Sequence, residues 1–554
     1  MADPSSSAVI GIDFGTLSGR VIVVSTDDGT ELASVEHVYR HGSIEHHLPE
    51  SDQRLPASWA LQDPDDWRQV LSRAVPKALE QSGRTAADIV GIATDFTSCT
   101  VLPATAEGSP LCELPELRAR PHAWPKLWKH HAAQDQADRI TELAHAREED
   151  WIRRYGGKIS SEWQYAKALQ VLEDDPEIYR RTDRWIEAAD WIVWQLTGQE
   201  NRNTCTAGYK GIYQDDGWPS RDYLAALHPE FADFAKSKLD FPLSPLGGRA
   251  GGLSSRAAEW TGLRVGTPVA VGNVDAHVTA AAAQAVDPGQ LVAIMGTSTC
   301  IVVNGDLLAE VPGMCGVVRD GIVPGLWGFE AGQSGVGDIF AWFTKNNIPD
   351  SYSKLAEQRG QSIHDYLSSL AAEENVGQHG LIALDWHSGN RSVLVDHDLS
   401  GVIAGLTLAT RPEQIYRALL EATAFGARKI IDSLTTFGVP VTDITVAGGL
   451  LKNELLMQIY ADVLNRPLNV LTNPQGPALG SAIHAAVAAE VYPDIRSASK
   501  AMGAVRRNAY HPNPDNAARY DELYREYCEL HDHFGRGGTE ILHRLKQIAR
   551  DAQS

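Results

Sequence analysis

A chain of 554 residues exceeds the size of one ordinary hydrophobic core, so its length predicts two large domains. The formal net charge of −22 argues against nucleic acid or an anionic membrane as a partner, because both repel an acidic protein. We expect a soluble cytoplasmic protein, because the six cysteines form no CxxC pair and no apolar run approaches the roughly 18 residues of a membrane span.

The first elements in chain order are a strand, a tight turn and two further strands. AVIGID runs into a turn at Phe14-Gly15-Thr16, and RVIVVS and ELASVEHV follow. From the end of such a strand, Asp13 can direct a carboxylate at a magnesium ion while Thr16 and the turn amides meet phosphate oxygens. Arg20 can add positive charge. For this motif alone, an ordinary hairpin remains the alternative.

The segment from about Pro115 to Leu196 is rich in tryptophan, histidine and charge. KLWKHHAAQDQADRITELAHA and EWQYAKALQVLE within it favour helices, so we predict a helical insertion on the first half. Trp124, Trp128 and Trp163 could stack on a sugar, although apolar packing is the commoner role of tryptophan.

Asp275 in VAVGNVDAHVTAA follows a strand and begins a predicted helix. Its functional interpretation is a general base that accepts the proton of an attacking hydroxyl. The helix N-terminus would favour the ionised carboxylate that a base requires. A purely structural N-cap is the alternative.

The pattern of the first elements recurs near the middle of the chain. QLVAIM, a turn at Gly296-Thr297-Ser298 and CIVVN repeat the strand, turn and strand, and we place the boundary between the halves near Asp287. Glycine permits close approach of the backbone, and the hydroxyl groups supply donors. Two such turns, one from each half, can hold a triphosphate from both sides.

A third glycine motif is AGGLLKNELLMQ, where a strand meets Gly448-Gly449 and a helix follows to about Leu464. Paired glycines let a ring or phosphate approach the backbone, and Asn453 can bond a nucleoside edge. Tight packing of strand against helix is the alternative. Past about Lys500 the chain is charged and predicted helical.

Strands and helices alternate in both halves, so the sequence predicts an α/β fold with mixed sheets flanked by helices. We divide the chain into an N-terminal domain of residues 8–286, a C-terminal domain of residues 287–495 and a helical extension of residues 496–554.

The motifs IDFGT, GNVDAH, MGTST, AGGLLKNELLMQ and PALGSA resemble, in the same order and over nearly the whole chain, the FGGY carbohydrate kinases. Within that family, RYGGKISSEW, GFEAGQSGVGDIFAWF and ALDWHSGNRS are similar to the L-ribulokinase branch. The resemblance implies two duplicated actin-like, ribonuclease H-like ATPase domains around a cleft. It also implies transfer of the ATP γ-phosphate to the terminal hydroxyl of L-ribulose, in L-arabinose catabolism, with Mg²⁺ and as a homodimer.

The resemblance also implies roles for individual residues. Asp13 is expected to hold Mg²⁺, and Asp275 is expected to be the base. The residues expected at the nucleotide are Thr16, Arg20, Gly296, Thr297, Ser298, Gly448, Gly449 and Asn453. The residues expected at the sugar are Ser98, Lys210, Asp275 and Glu330.

Ser98 departs from the alanine expected in that branch, and an added hydroxyl can change the preference among sugars. Another pentulose or a pentitol, such as D-ribulose or ribitol, is therefore an alternative substrate. An actin-like ATPase or sugar-sensing module that phosphorylates no sugar is the alternative from another functional class.

Overall fold

Two mixed β-sheets of seven strands each lie at the centre of the computed structural model, which describes residues 7–49, 54–214 and 217–553. Three two-stranded sheets accompany them in these ranges. The strands are β1 (Ala8–Phe14), β2 (Ser18–Ser25), β3 (Glu31–Val38), β4 (Ile89–Phe96), β5 (Val101–Ala104), β6 (Arg184–Glu187), β7 (Arg202–Asn203), β8 (Leu243–Ser244), β9 (Arg249–Gly252), β10 (Pro268–Ala270), β11 (Asn273–Val274), β12 (Gln290–Met295), β13 (Thr299–Gly305), β14 (Gly316–Arg319), β15 (Trp327–Gln333), β16 (Ile382–Leu384), β17 (Val402–Ala404), β18 (Asp443–Ala447), β19 (Leu468–Leu471) and β20 (Val505–Tyr510).

Helices cover the faces of both sheets. They also form most of the predicted insertion and most of the C-terminal segment. The helices are α1 (Pro64–Gln69), α2 (Val75–Gln81), α3 (Gln134–Ala146), α4 (Gln164–Asp174), α5 (Pro176–Arg181), α6 (Ala188–Thr197), α7 (Thr204–Tyr209), α8 (Arg221–Leu227), α9 (Ser255–Thr261), α10 (Asp275–Ala282), α11 (Gly337–Asn346), α12 (Asp350–Gln358), α13 (Ile363–Ala372), α14 (Pro412–Thr436), α15 (Glu454–Leu464), α16 (Gly476–Ala488), α17 (Ile495–Met502), α18 (Pro514–Gly535) and α19 (Ile541–Gln553). None of these helices is long and apolar enough to cross a membrane.

The two large sheets repeat one topology. The first has the order β3-β2-β1-β4-β10-β9, with β11 also paired to β4. The second has the order β14-β15-β13-β12-β18-β19-β20. In both, an antiparallel meander leads to the central strand, two parallel strands follow, and an antiparallel strand closes the edge. The predicted duplicated α/β fold is therefore confirmed.

The central strands are apolar because both faces of each sheet are covered. Every residue of β1 is buried, whereas the edge strand β3 alternates between buried and exposed residues. Helix α16 belongs to the second half of the chain but packs on β1 and β4 of the first sheet. Gly11 permits this approach, since a Cβ there would lie 1.9 Å from the carbonyl oxygen of Ala478. The two halves are thus joined through a shared helix.

The predicted insertion contains helices α3 to α6, and it also contributes strand β6, which pairs with β5. Most of its aromatic side chains pack in an apolar core separate from those of the two sheets, whereas Trp191 and Trp194 pack in the core of the first sheet. Trp124 and Trp163 belong to that core, which confirms packing as their role.

The C-terminal segment is less uniformly helical than its charge pattern predicts. Strand β20 lies in it and forms the edge of the second sheet by pairing with β19. Helix α18 packs against the second half, where Tyr520 donates to Glu421 (2.9 Å) and Tyr527 to Asp385 (3.1 Å). The boundaries of the three predicted segments stay a prediction.

Candidate active site

The first of the two turns predicted to bind phosphate, at Phe14-Gly15-Thr16, connects β1 to β2. The amide of Gly15 donates to the carbonyl oxygen of Ser18 (3.0 Å), which closes a tight hairpin. The Thr16 hydroxyl accepts a hydrogen bond from the indole N–H of Trp128 (3.1 Å), and its carbonyl oxygen accepts one from Gln62 (2.8 Å). The insertion therefore fixes this turn from outside the sheet.

The second turn connects β12 to β13 and is one residue tighter. The amide of Gly296 donates to the carbonyl oxygen of Ser298 (2.8 Å). The start of α11 supports the turn, because the amides of Val336 and Gly337 donate to the carbonyl oxygens of Thr297 (2.7 Å) and Gly296 (3.0 Å).

Both turns open into one cavity of about 280 Å³. The structure brings Ser98, Lys210, Asp275 and Glu330 together there with Thr16 and the second turn. Its walls are formed by Thr16, Thr97, Ser98, Cys99, Trp128, Glu162, Lys210, Val274, Asp275, Ala276, His277, Ile294, Gly296, Thr297, Ser298, Cys300, Glu330, Arg391 and Pro477. Its small volume and the charged and hydroxyl side chains on its walls suit a small polyhydroxylated molecule better than a drug-sized one.

Asp275 is the first residue of α10, and Val274 occupies the cap position, so the interpretation of Asp275 as the N-cap is wrong. One carboxylate oxygen accepts the amide N–H of Ala276 (2.6 Å). Burial and the nearby carboxyl of Asp13 nevertheless raise the pKa of Asp275 to about 7. The helix N-terminus was expected to favour the ionised form, but burial outweighs it here. A carboxyl with a pKa near neutrality is well suited to accept a proton.

Lys210 and Glu330 form a buried ion pair between the two halves. The Lys210 ammonium lies 2.9 Å and 3.2 Å from the two carboxylate oxygens, and both side chains are at most 3% exposed. Arg391 donates to the same carboxylate (2.6 Å), and His277 lies 3.2 Å from it. Burial alone would raise the pKa of Glu330, but the charges of Lys210 and Arg391 and the contact with His277 hold it well below its usual range.

Lys210 and Glu330, the two members of this ion pair, have different roles. Both oxygens of Glu330 are engaged by Lys210 and Arg391, so Glu330 fixes the two cations. The pKa of Lys210 is raised by Glu330 despite burial, which keeps its amine charged. An ammonium carries more hydrogens than these contacts use, so Lys210 can also donate to a ligand oxygen in the cavity.

Asp13 and Asp95 are register partners at the ends of the parallel strands β1 and β4. Burial raises the pKa of Asp13, and burial together with the neighbouring Asp13 raises that of Asp95. Ser481 donates to one oxygen of Asp95 (2.6 Å), and the other oxygen has no hydrogen-bond partner among the described residues. Arg20 lies 3.4 Å from both Asp13 and Glu36.

The carboxyl pair fits the ligand preference of Mg²⁺. This ion takes oxygen ligands and is usually held by one or two carboxylates together with phosphates and water. Asp13 and Asp95 present two carboxyl groups whose repulsion a divalent cation would relieve, and one buried oxygen is unpartnered.

Five residues predicted at the nucleotide or the metal ion do not line the cavity: Asp13, Arg20, Gly448, Gly449 and Asn453. A Cβ on Gly448 would lie 2.3 Å from the carbonyl oxygen of Met295, so this glycine packs against the strand that leads into the turn. Gly449 faces open space. Asn453 caps α15 by accepting from Leu456 (3.0 Å) and donates to Ser368 (3.1 Å).

The sequence does not predict several residues at the site, among them Asp95, Glu162, His277 and Arg391. Asp95 had a readable signal, because β1 and β4 both end in Asp-Phe, and the rings of Phe14 and Phe96 stack with centroids 5.0 Å apart. The sequence suggests a sugar contact for Trp128 but does not reveal its hydrogen bond to Thr16.

The fold and the cavity define a class of protein: a duplicated α/β protein whose halves each contribute a turn to one cleft. Residues 8–282 match the FGGY family of carbohydrate kinases, N-terminal domain, and residues 291–489 match its C-terminal domain. The chain belongs to the FGGY family of carbohydrate kinases. It is therefore a phosphotransferase that uses ATP and acts on a small-molecule sugar.

Relatives match over nearly the whole chain. A ribulokinase of Mycolicibacterium smegmatis is 59% identical over 98% of this chain and 97% of its own length. A ribulokinase of Geobacillus thermodenitrificans is 51% identical over 99% of this chain and 98% of its own length. The crystal structure of a xylulose kinase from Rhodospirillum rubrum superposes with a TM-score of 0.76 at 24% identity, covering 95% of this chain and 98% of that one, which supports the fold.

Proposed function

We propose that this protein transfers the γ-phosphate of ATP to the terminal hydroxyl of L-ribulose, giving L-ribulose 5-phosphate in L-arabinose catabolism. The observation that carries the proposal is the cavity in which Asp275 and Lys210 meet the two phosphate-type turns. The high identity to proteins named ribulokinase supports the choice of sugar.

Asp275 acts as the general base in this proposal. Its carboxylate accepts the proton of the attacking hydroxyl and orients the oxygen toward the γ-phosphate. The transition state of phosphoryl transfer is loose, so orientation and charge neutralisation account for most of the catalysis. Lys210 donates to an oxygen of the sugar, and Ser98 supplies a further hydroxyl. Glu330 keeps Lys210 charged and fixed.

The two turns hold the phosphates from opposite sides. Thr16 and Arg20 act on one side, and Gly296, Thr297 and Ser298 act on the other. The nucleoside lies beyond the second turn, against the segment from Gly448 and Gly449 to Asn453. This assignment rests on the position of Gly448 directly against β12.

Asp13 would hold Mg²⁺, with Asp95 beside it, and the ion would neutralise charge on the phosphates. We expect Asp13→Asn to raise the Mg²⁺ concentration for half-maximal activity by about tenfold or more, because a charged ligand is lost. The exposed Asp28→Asn serves as control. A Mg²⁺ requirement unchanged by Asp13→Asn would contradict this assignment.

Ser98 leaves D-ribulose and ribitol as alternative substrates, and a panel of sugars in a coupled assay of ADP release tests the choice. We expect the highest kcat/KM with L-ribulose. A higher kcat/KM with another sugar would replace L-ribulose in the proposal. Ser98→Ala removes only the hydroxyl, so a change in the ranking of sugars would assign selectivity to this residue.

The same assay separates a kinase from an actin-like ATPase or a sugar sensor. ADP release that depends on no sugar in the panel would favour those alternatives. The proposed kinase requires the sugar, because Asp275 and Lys210 have no role in hydrolysis alone.

We also propose a domain division at residues 8–286, 287–495 and 496–554, with closure of the cleft when both substrates bind. Small-angle scattering should show compaction with both ligands.

A homodimer is proposed from the prevalence of two-fold symmetry and from the family resemblance. The cytoplasmic location is proposed from the use of ATP and the six free cysteines.

A further inference from the structure

Arg391 lies between two cavities. One is the proposed sugar cavity, and the other is a cavity of about 640 Å³ that shares Glu162 and Arg391 with it. The guanidinium donates to Glu330 (2.6 Å) and to the sulfur of Cys315 (3.2 Å). Arg391 therefore contacts the same carboxylate as Lys210, so a change in the position of Arg391 would reach both residues.

Arg391 is carried by a loop of residues 390–398, which we call the 390–398 loop. Asn390 and Asp396 exchange backbone hydrogen bonds of 2.7 Å and 2.8 Å across its base. Next to Arg391, the Ser392 hydroxyl accepts the amide N–H of Gly332 (3.2 Å), two residues from Glu330. The start of the loop is thus attached to the strand that carries Glu330.

The other end of the loop is attached to α19. His543 pairs with Asp396 (2.8 Å), Lys546 donates to the carbonyl oxygen of His397 (2.7 Å), and Arg550 pairs with Asp398 (2.5 Å). These three basic residues lie on one face of the helix, because their spacing follows the helical repeat. Arg550 also lines the second cavity.

Apolar packing accounts for little of the attachment of α19. Of its large apolar side chains, Leu542 is buried, whereas Ile541, Leu545 and Ile548 are at least 41% exposed. The polar contacts with the 390–398 loop therefore add to the packing of Leu542 in the attachment of this helix. Exposed ion pairs are individually weak, so the three contacts act as a set.

We propose that α19 is a positioning element of the sugar site: it holds the 390–398 loop so that Arg391 keeps Glu330 and Lys210 in place. The proposal rests on the proposed function, since it assigns the sugar to the cavity of Lys210. Helix α19 touches neither substrate in this account and acts through Arg391 alone.

The test removes the three contacts together, in the full-length chain, with His543→Ala/Lys546→Ala/Arg550→Ala. The assay uses the sugar that the wild-type protein phosphorylates best. We expect the KM for that sugar to rise by about threefold to tenfold and the KM for ATP to change by less than about twofold, because the affected residues lie at the sugar end. Arg544→Ala is the control, an exposed cation on the same helix, and should change neither KM.

A second measurement keeps the result independent of general destabilisation. Arg391→Lys retains the charge but loses the planar fork, and it is combined with the triple substitution. If α19 acts through Arg391, the triple substitution should raise the KM for the sugar by less than about twofold in the Arg391→Lys background. An unchanged KM for the sugar in the triple variant, equal rises in both KM values, or fully multiplicative effects of the two changes would overturn the proposal. Failure of the proposed function is a different result, since it shows in the sugar preference of the wild-type protein.

Discussion

Asp13, Asp95 and Asp275 come from the first half of the chain, whereas Glu330 comes from the second. Asp13, Asp95 and Glu330 are buried and Asp275 is half-buried, but the pKa values of these carboxyl groups move in opposite directions. The three aspartates repel one another at adjacent strand ends, and burial raises their pKa values. Glu330 lies among Lys210, Arg391 and His277, and its pKa falls well below the usual range. Burial by itself therefore does not set the charge of a carboxyl here, because the neighbours decide it.

The direction of the pKa shift distinguishes the three aspartates, which act on a proton or a metal ion in this proposal, from Glu330, which only holds cations. A carboxyl with a raised pKa accepts a proton readily or binds a divalent cation. A carboxylate compensated by two cations does neither, and it fixes their positions instead. The aspartates of the first half thus supply the proposed chemistry, and Glu330 of the second half fixes Lys210, which donates to the sugar in this proposal.

The largest expected effect comes from Asp275→Asn, which removes the proposed base with little change of shape. We expect kcat to fall by at least about 100-fold, in line with the usual contribution of a general base. Binding of a non-hydrolysable ATP analogue, measured by calorimetry, should stay within a few-fold of the wild type. Near-normal turnover would remove Asp275 from the mechanism and with it the proposed division of roles.

Glu330→Gln tests the other side of the comparison. It leaves the charges of Lys210 and Arg391 uncompensated in a buried place, so we expect a loss of about 3 kcal/mol in the free energy of unfolding. Urea denaturation measures this, with Glu36→Gln as control, because the ion pair of Glu36 with Arg20 is exposed and should contribute less than about 1 kcal/mol. Equal losses in both variants would show that the buried network has no special role.

The adjacent glycines of the nucleotide segment give a smaller and more local test. Gly448 has φ of 99° and no room for a Cβ, so we expect Gly448→Ala to destabilise the fold by about 1–3 kcal/mol. Gly449 faces open space, so Gly449→Ala should leave the unfolding midpoint unchanged while raising the KM for ATP by about threefold or more. An unchanged KM for ATP would move the nucleoside away from Gly449.

The sequence predicted the parts of the fold and site that depend on local pattern. The hairpin turns at Gly15-Thr16 and Gly296-Thr297 have clear local signals, and repetition of the pattern predicted the duplication. The family resemblance nominated Lys210 and Glu330, and the structure brings them together. These features need only short-range chemistry or a known family for their prediction.

Features that depend on contacts between distant segments could not be predicted. Helix α16 packs on the sheet of the other half, and the bond of Trp128 to Thr16 joins the insertion to a phosphate turn. Strand β20 carries the charged residues that are typical of an exposed edge strand. Because charged residues also suit a surface helix, the sequence predicts a helix there. The pKa of Asp275 depends on burial beside Asp13, which the helix N-terminus alone does not reveal.

The pH dependence of kcat/KM for L-ribulose tests the central claim most directly. Asp275 must be ionised to act as a base, and its raised pKa of about 7 means that the active form is lost as the pH falls. We expect kcat/KM to be level above this pKa and to fall about tenfold per pH unit below it, and we expect the residual activity of Asp275→Asn to lack this limb. A wild-type profile that stays flat down to the ordinary pKa range of an aspartate, or the same limb in Asp275→Asn, would contradict the account.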